Sequence, residues 1–186
     1  MLFITASDTG FYFFLPYMVG QIERLFPKAR LIVYDLGMTE QETLQLNEWG
    51  VEVKKWHIEP GYPVEKPNYF PLALHKTSMI LDALELHPNE GVVCLDADAI
   101  PNKRFFSIPT GCDVAVTMVD QEALTILDSK PEIKYNGIFN TGVVMFGRSK
   151  RRLAFASEWS DRLSTSGAIE SDQRIAWLLL EEMEGF

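Results

Sequence analysis

The chain has 186 residues, 47% of them hydrophobic, and a formal net charge of −9. This length and apolar content suit one globular domain with a sizeable core, covering residues 1–186. The negative charge disfavours non-specific binding to nucleic acid or to an anionic lipid surface. A phosphate-bearing ligand would therefore need a local positive group, such as a metal ion or a single lysine.

Nothing in the sequence predicts export or insertion into a membrane. The apolar residues 2–4 follow the first methionine with no basic leader, and the apolar run 11–19 contains Pro16 and is too short to span a bilayer. The two cysteines, Cys94 and Cys112, predict no disulfide framework. We therefore expect a cytoplasmic protein without a transmembrane segment, and we leave peripheral membrane association open.

The first half of the chain predicts strands that alternate with helices. A helix at 39–49 opens with a capping box, in which Thr39 is the N-cap and Glu42 stands three residues later. The strand at 51–56 alternates in polarity, which predicts a more exposed position in the sheet. Further elements are expected as strands at 2–5 and 31–34 and a helix at 11–26.

The second half continues the alternation, with a buried strand at 92–95 as its most apolar element. Around it we expect a loop at 59–71, helices at 72–86, 148–163 and 171–183, a helical turn at 101–106, a strand at 113–117, an active-site loop at 118–137, and a loop that enters a buried strand over 139–147. Strands alternating with helices predict an α/β protein of Rossmann-like architecture, with a mainly parallel central sheet flanked by helices.

Two carboxylates follow the buried strand 92–95 directly. Open α/β sheets bind ligands at the carboxyl ends of their strands, where Asp96 and Asp98 stand. Side chains alternate along an extended segment, so both carboxylates can point to the same side. Such a pair suits Mg²⁺ or Mn²⁺, with water and substrate phosphates completing the coordination. The alternative interpretation is an acidic turn whose carboxylates are solvated.

An ordered series of motifs resembles the GT-A fold glycosyltransferases and, among them, family eight, which includes glycogenin and galactosyltransferase relatives. The motifs follow the family's order over almost the whole chain. They are Thr-Ala-Ser-Asp at 5–8, Tyr-Asp-Leu-Gly at 34–37, Lys76, Leu-Asp-Ala-Asp at 95–98, Phe-Asn-Thr-Gly-Val at 139–143 and Ser-Asp-Gln at 171–173.

The resemblance implies a metal-dependent hexosyltransferase. It would move a sugar from a nucleotide-sugar donor, UDP-linked, to a hydroxyl of a saccharide, a lipid-linked sugar or a protein, with retention of configuration. The residues implied to bind the base, the ribose and the diphosphate of the donor are Thr5, Ala6, Ser7, Asp8, Lys76 and Ala97.

The resemblance also implies the metal-binding and catalytic residues. Asp96 and Asp98 would hold Mn²⁺ or Mg²⁺ against the donor diphosphate, whose developing charge needs a Lewis acid. Asn140 would lie at the edge of the donor sugar and the acceptor. Asp172 could bind sugar hydroxyls or act as a base toward the acceptor. Gln173 would turn its amide toward the anomeric centre.

One family feature has no counterpart in this sequence. The family supplies a His near its C-terminus as a further metal ligand, whereas the histidines here, His57, His75 and His87, all precede the Asp pair. Either water completes the coordination, or the chain is a truncated or minimal relative. A non-catalytic protein that binds a nucleotide sugar therefore stays open as an alternative.

Simpler interpretations exist for single residues and for the whole chain. Asp8 could be a cap, Lys76 a solvated helix residue, Asn140 a turn residue and Asp172 a charge that complements a helix dipole. A nucleotidyltransferase would need a Gly-rich, Arg-bearing loop after the first strand, which 5–10 does not provide. An Asp-nucleophile phosphatase would need a hydroxyl residue at the position of Ile100.

Overall fold

The computed structural model describes residues 1–57, 69–104, 113–118, 139–166 and 172–182. The strands are β1 (Leu2–Ser7), β2 (Arg30–Asp35), β3 (Glu52–Lys55), β4 (Val92–Leu95), β5 (Val114–Met118) and β6 (Phe139–Phe146). The helices are α1 (Leu15–Leu25), which follows a 3₁₀ turn (Tyr12–Phe14), α2 (Glu40–Glu48), α3 (Tyr69–Leu86), α4 (Arg151–Ser166) and α5 (Asp172–Glu182).

The six strands form one sheet in the order β3-β2-β1-β4-β6-β5. Strands β3, β2, β1 and β4 run parallel to one another, while β6 runs antiparallel to both of its neighbours. The predicted α/β fold with a mainly parallel sheet is confirmed. The buried strand β4 is central, as expected, and its neighbour β6 is reversed.

Helices cover both faces of this sheet. Residues that alternate along a strand point to opposite faces, and β1 shows this directly. Leu2 and Ile4 join a core with α3, α4 and α5, whereas Phe3 joins a second core with α1 and α2. Cys94 is buried in the first core, as expected of a small apolar residue. None of the helices among the described residues is both long and apolar enough to cross a membrane.

Local signals placed several helix and strand ends correctly. The capping box at Thr39 and Glu42 is present, and Gly50 follows α2 with a left-handed φ of 74°, which glycine adopts without strain. Strand β3 lies at the sheet edge and is partly exposed, as its alternating polarity indicated.

Other boundaries differ from the predictions. Helix α3 begins at Tyr69 and not at 72, and the segment 139–147, expected to begin as a loop, is strand β6 from Phe139 onward. Residues 101–104 form no helical turn. The remainder of that turn, the loop at 59–68 and residues 119–137 of the predicted active-site loop lie outside the described residues.

A buried arginine holds the turn that leads into β4. Arg152, the second residue of α4, is only 1% exposed. Its guanidinium donates to the carbonyl oxygens of His87 at 3.0 Å and Pro88 at 2.9 Å, and also to those of Glu90 and Gly147. These carbonyls lie after α3, before β4 and after β6. A positive charge there also complements the carboxyl end of α3.

Candidate active site

The candidate site lies at the edge of the sheet where the parallel strands end. The carboxyl ends of β1, β2, β3 and β4 meet there, and β4 ends just before Asp96. Because β6 runs in the opposite direction, its beginning arrives at that edge. The backbone N–H of Asp96 donates to the carbonyl oxygen of Gly142 at 2.8 Å. The reversal of β6 therefore places residues 141 and 142 beside the end of β4.

A bulge in β6 interrupts the pairing of this strand with β5. Val116 of β5 pairs with Val144 of β6, but the next residue, Thr117, pairs with Asn140. Residues 141–143 of β6 therefore have no partner in β5. Such bulges turn backbone groups away from the ladder, and they are frequent near active sites. Here the freed carbonyl of Thr141 accepts a hydrogen bond from Lys76.

Lys76 is the cation at the centre of the site. Helix α3 carries it to the sheet edge, where its ammonium donates to Asp96 Oδ1 at 2.7 Å and to the Thr141 carbonyl at 2.6 Å. The same nitrogen lies 3.7 Å from Asp172 Oδ2. With its side chain only 13% exposed, Lys76 is not the solvated helix residue of the alternative interpretation.

The two carboxylates keep this ammonium charged. Burial alone lowers the pKa of Lys76, but the charges of Asp96 and Asp172 outweigh it, so that the pKa lies above its ordinary value. The site therefore holds a permanent positive charge at neutral pH.

Asp172 begins helix α5 and is held at two points. Its Oδ2 accepts a hydrogen bond from the Thr141 hydroxyl at 2.6 Å, and its backbone carbonyl accepts one from the indole N–H of Trp159 at 3.0 Å. Both Thr141 and Trp159 are buried. A carboxylate at the first turn of a helix is also stabilised by the helix dipole. Asp172 can therefore complement the dipole of α5, as the alternative interpretation had it, and still take part in binding or catalysis.

Asp96 and Asp98 lie in a turn, which corrects the expectation of an extended segment. The N–H of Ala99 donates to the Asp96 carbonyl at 2.9 Å, closing a turn over 96–99. The alternation argument for the two carboxylates therefore does not apply. Asp96 is 45% exposed at its side chain, and Asp98 is exposed as well. Ala97, between them, is half-buried.

The donor set at this turn suits a hard divalent cation only with help from a ligand. Among the described residues, no three His, Cys, Asp or Glu side chains come together as a metal-binding group. Two accessible carboxylates nevertheless match how proteins hold Mg²⁺, which keeps several waters and binds substrate phosphates. The residues present therefore fit a cation that arrives with a diphosphate.

The segment 5–8 reaches the same edge, at the end of β1. Thr5 is buried, and its Oγ1 has no hydrogen-bond partner within the described part of the chain. Ser7 donates to the Asp8 carbonyl at 2.9 Å, and Asp8 Oδ1 accepts the backbone N–H of Phe11 at 3.1 Å. Asp8 thus shapes the turn before α1. No described hydrogen bond or ion pair joins this segment to Lys76.

Asn140, Gln173 and His75 have the following positions in the structure. Asn140 lies in β6, opposite Thr117 of β5, and its side chain falls outside the described residues. Gln173 is half-buried and follows Asp172 in α5. His75 is part of the packing, because its Nδ1 accepts the indole N–H of Trp56 at 3.1 Å, and burial lowers its pKa.

Two residues of the site have contacts that the sequence did not indicate. The Asn-Thr-Gly motif at 140–142 was expected at the edge of the acceptor and the donor sugar, but no contact of Thr141 with Asp172 or Lys76 was predicted, and Trp159 was predicted only as part of a helix. Thr141 carried a weak signal, since a hydroxyl residue beside a polar motif at a strand end can hold a side chain. Trp159 carried none, because a buried aromatic in an amphipathic helix is ordinarily core.

No protein-family model and no curated protein sequence matches the chain. Solved structures do match. The galactosyltransferase LgtC, in complex with donor and acceptor sugar analogues, superposes with a TM-score of 0.54 at 18% identity, over 94% of this chain and 69% of LgtC. Core-mannan synthase A from Aspergillus fumigatus, in its Mn/GDP form, gives 0.59 at 10% identity, over 96% of this chain and 68% of that protein.

The bifunctional glycosyltransferase WbbM, in its apo form, matches with a TM-score of 0.60 at 12% identity, over 96% of this chain and 37% of WbbM. The chain has a GT-A glycosyltransferase fold. Identities of this size establish the fold alone, so the GT-A prediction is confirmed while membership of family eight stays a prediction.

Proposed function

We propose that residues 1–186 form a catalytic domain that moves a sugar from a UDP-linked donor to a hydroxyl acceptor, with retention and with the help of Mn²⁺ or Mg²⁺. The observation that carries the proposal is the meeting of Lys76, Asp96 and Asp172 at the ligand-binding edge of a GT-A fold. LgtC was solved with donor and acceptor sugar analogues and core-mannan synthase A with Mn and GDP, which supports this class of ligands.

The charge of the site supports metal dependence. Among the described residues, the carboxylates of Asp96 and Asp172 lie against one ammonium, that of Lys76, and Asp98 stands two residues from Asp96, so these four groups together carry a net negative charge. A diphosphate would be repelled from this site by simple electrostatics. A divalent cation held by Asp96 and Asp98 would neutralise the site and, as a Lewis acid, stabilise the nucleoside-diphosphate leaving group.

The other predicted site residues would bind the donor and the acceptor. Lys76 would donate to the diphosphate, and Asp172 would bind sugar hydroxyls or accept the proton of the attacking hydroxyl. Asn140 and Gln173 would face the transferred sugar. The nucleoside would lie against Thr5, Ala6, Ser7, Asp8 and Ala97, where the orphaned hydroxyl of Thr5 offers a donor and acceptor.

A non-catalytic protein that binds a nucleotide sugar is the second candidate. One observation favours it: Lys76 already engages Asp96 at 2.7 Å, so a cation must share that carboxylate with the ammonium. The nucleotidyltransferase alternative gains nothing from the structure, because residues 5–10 bring no basic side chain to the edge.

Calorimetric titration of UDP into the protein, first with Mn²⁺ and then with EDTA, tests the proposal. We expect binding that requires the metal, followed by release of UDP from a UDP-hexose when a panel of such donors is supplied. Asp161→Asn, which alters an exposed carboxylate of α4, serves as a control that should bind UDP like the wild type. Metal-dependent binding without turnover of any donor would favour the second candidate. Failure to bind UDP in both conditions would refute the proposal.

A further inference from the structure

Thr141 contacts both charged partners of the site from a buried position. Its hydroxyl donates to Asp172 Oδ2 at 2.6 Å, and its carbonyl accepts from the Lys76 ammonium at 2.6 Å. A hydroxyl-to-carboxylate bond of this length is a charge-assisted hydrogen bond, which is stronger than one between neutral groups. A single residue of the β6 bulge therefore sets the position of a cation and of a carboxylate.

The contacts of Asp172 are one-sided. Thr141 and Lys76 both approach Oδ2, and within the described part of the chain no hydrogen bond or ion pair involves Oδ1. Trp159 fixes the backbone of the same residue. Contacts to one oxygen and to the backbone thus hold the carboxylate in one orientation. A buried β-branched residue suits this task because few χ1 rotamers are open to it.

We propose that Thr141 is a positioning residue, which orients Asp172 for its work on the sugar or the acceptor hydroxyl. This inference rests on the function proposed above. Thr141 is buried and its hydroxyl is bonded to Asp172, so it would act through that carboxylate and not on the substrate. Its effect should therefore fall on the rate of the chemical step, while binding of the nucleotide is left intact.

The first test compares Thr141→Val with Thr141→Ser. Valine keeps the branched shape and loses the hydroxyl, while serine keeps the hydroxyl. For the UDP-hexose that the wild type turns over, we expect Thr141→Val to lower kcat by about ten- to a hundredfold, the cost of one hydrogen bond to a charged group. KM and the calorimetric Kd for UDP with Mn²⁺ should change by less than about twofold. Thr141→Ser should recover most of the rate.

Unchanged kcat in Thr141→Val, or no recovery in Thr141→Ser, would overturn the positioning role. So would a parallel loss of kcat, UDP binding and thermal stability, which would mark Thr141 as a structural residue only.

A second test does not depend on activity. Urea unfolding of Thr141→Val, Asp172→Ala and the double variant forms a double-mutant cycle. We expect Asp172→Ala to shift the urea midpoint much less in the Thr141→Val background than in the wild type, because that background has already lost the hydrogen bond. Additive shifts would show that Thr141 does not hold Asp172. Should the wild type turn over no donor, the proposed function fails, and this cycle still decides whether the contact exists.

Discussion

Replacing Arg152 should destabilise the whole sheet edge that carries the site. The guanidinium satisfies four backbone carbonyls, those of His87, Pro88, Glu90 and Gly147, at a position that is 1% exposed. In Arg152→Met the side chain remains long and apolar, but the carbonyls of Pro88, Glu90 and Gly147 lose their donor, whereas that of His87 keeps the N–H of Glu90 at 3.1 Å. Water has little access to a buried position, so those three carbonyls stay unsatisfied.

The expected loss follows from the cost of each orphaned group. At about 1 kcal/mol per carbonyl, the low end of the usual range, three of them sum to roughly 3 kcal/mol. That is a large share of the roughly 5–15 kcal/mol that stabilises a typical domain. For a chain of this size it corresponds to a decrease in Tm of about 6–12 °C. The loss in Arg152→Lys should lie between that of Arg152→Met and zero, because one ammonium cannot reach all the acceptors, which lie in two separate chain segments.

Thermal and urea unfolding measure these losses, with Arg151→Met as the matched control. Arg151 precedes Arg152 on the same helix, but its side chain is 50% exposed and its ion pair with Asp113 spans 3.6 Å. Its replacement should cost less than about 1 kcal/mol. If Arg152→Met also loses less than about 1 kcal/mol of the free energy of unfolding, the Arg152 hydrogen bonds to backbone carbonyls do not stabilise the fold as argued.

Three further predictions concern the site and the core. Asp98→Ala should abolish Mn²⁺-dependent binding of UDP while leaving the circular dichroism spectrum unchanged; undiminished metal-dependent binding would remove Asp98 from the metal site. Asp172→Asn should bind UDP like the wild type and yet turn over donor much more slowly, so full activity would exclude Asp172 from catalysis. Burial raises the pKa of the Cys94 thiol to about 12, so the thiolate is scarce at pH 8. Iodoacetamide should then leave Cys94 unmodified in the native protein and alkylate it in urea, as peptide mass spectrometry can show; rapid native labelling would contradict its burial.

The ammonium of Lys76 lies between two carboxylates, those of Asp96 and Asp172, and within reach of both. Since the ammonium neutralises part of their charge, the carboxylates can stand close together without the repulsion that would otherwise raise the energy of the folded state.

Patterns within short stretches of sequence predicted much of the architecture. The apolar run 92–95 marked the buried central strand β4, and the spacing of Thr39 and Glu42 marked the start of α2. Both signals arise from contacts between residues close in the chain, or from burial of one short segment. Local propensity and periodicity carry such information directly.

The candidate site was predicted as a set of residues but not as an arrangement. The resemblance to the GT-A family predicted the fold, which is confirmed, and roles for Lys76, Asp96 and Asp172, which stay predictions. The sequence by itself did not indicate that the chain turns at Asp96, that β6 runs antiparallel to β4, or that a bulge frees Thr141. The contacts that define the site join residues 20, 65 and 31 positions apart. Only the tertiary structure decided them, because the direction and register of β6 depend on sheet pairing between distant segments, which no local periodicity encodes.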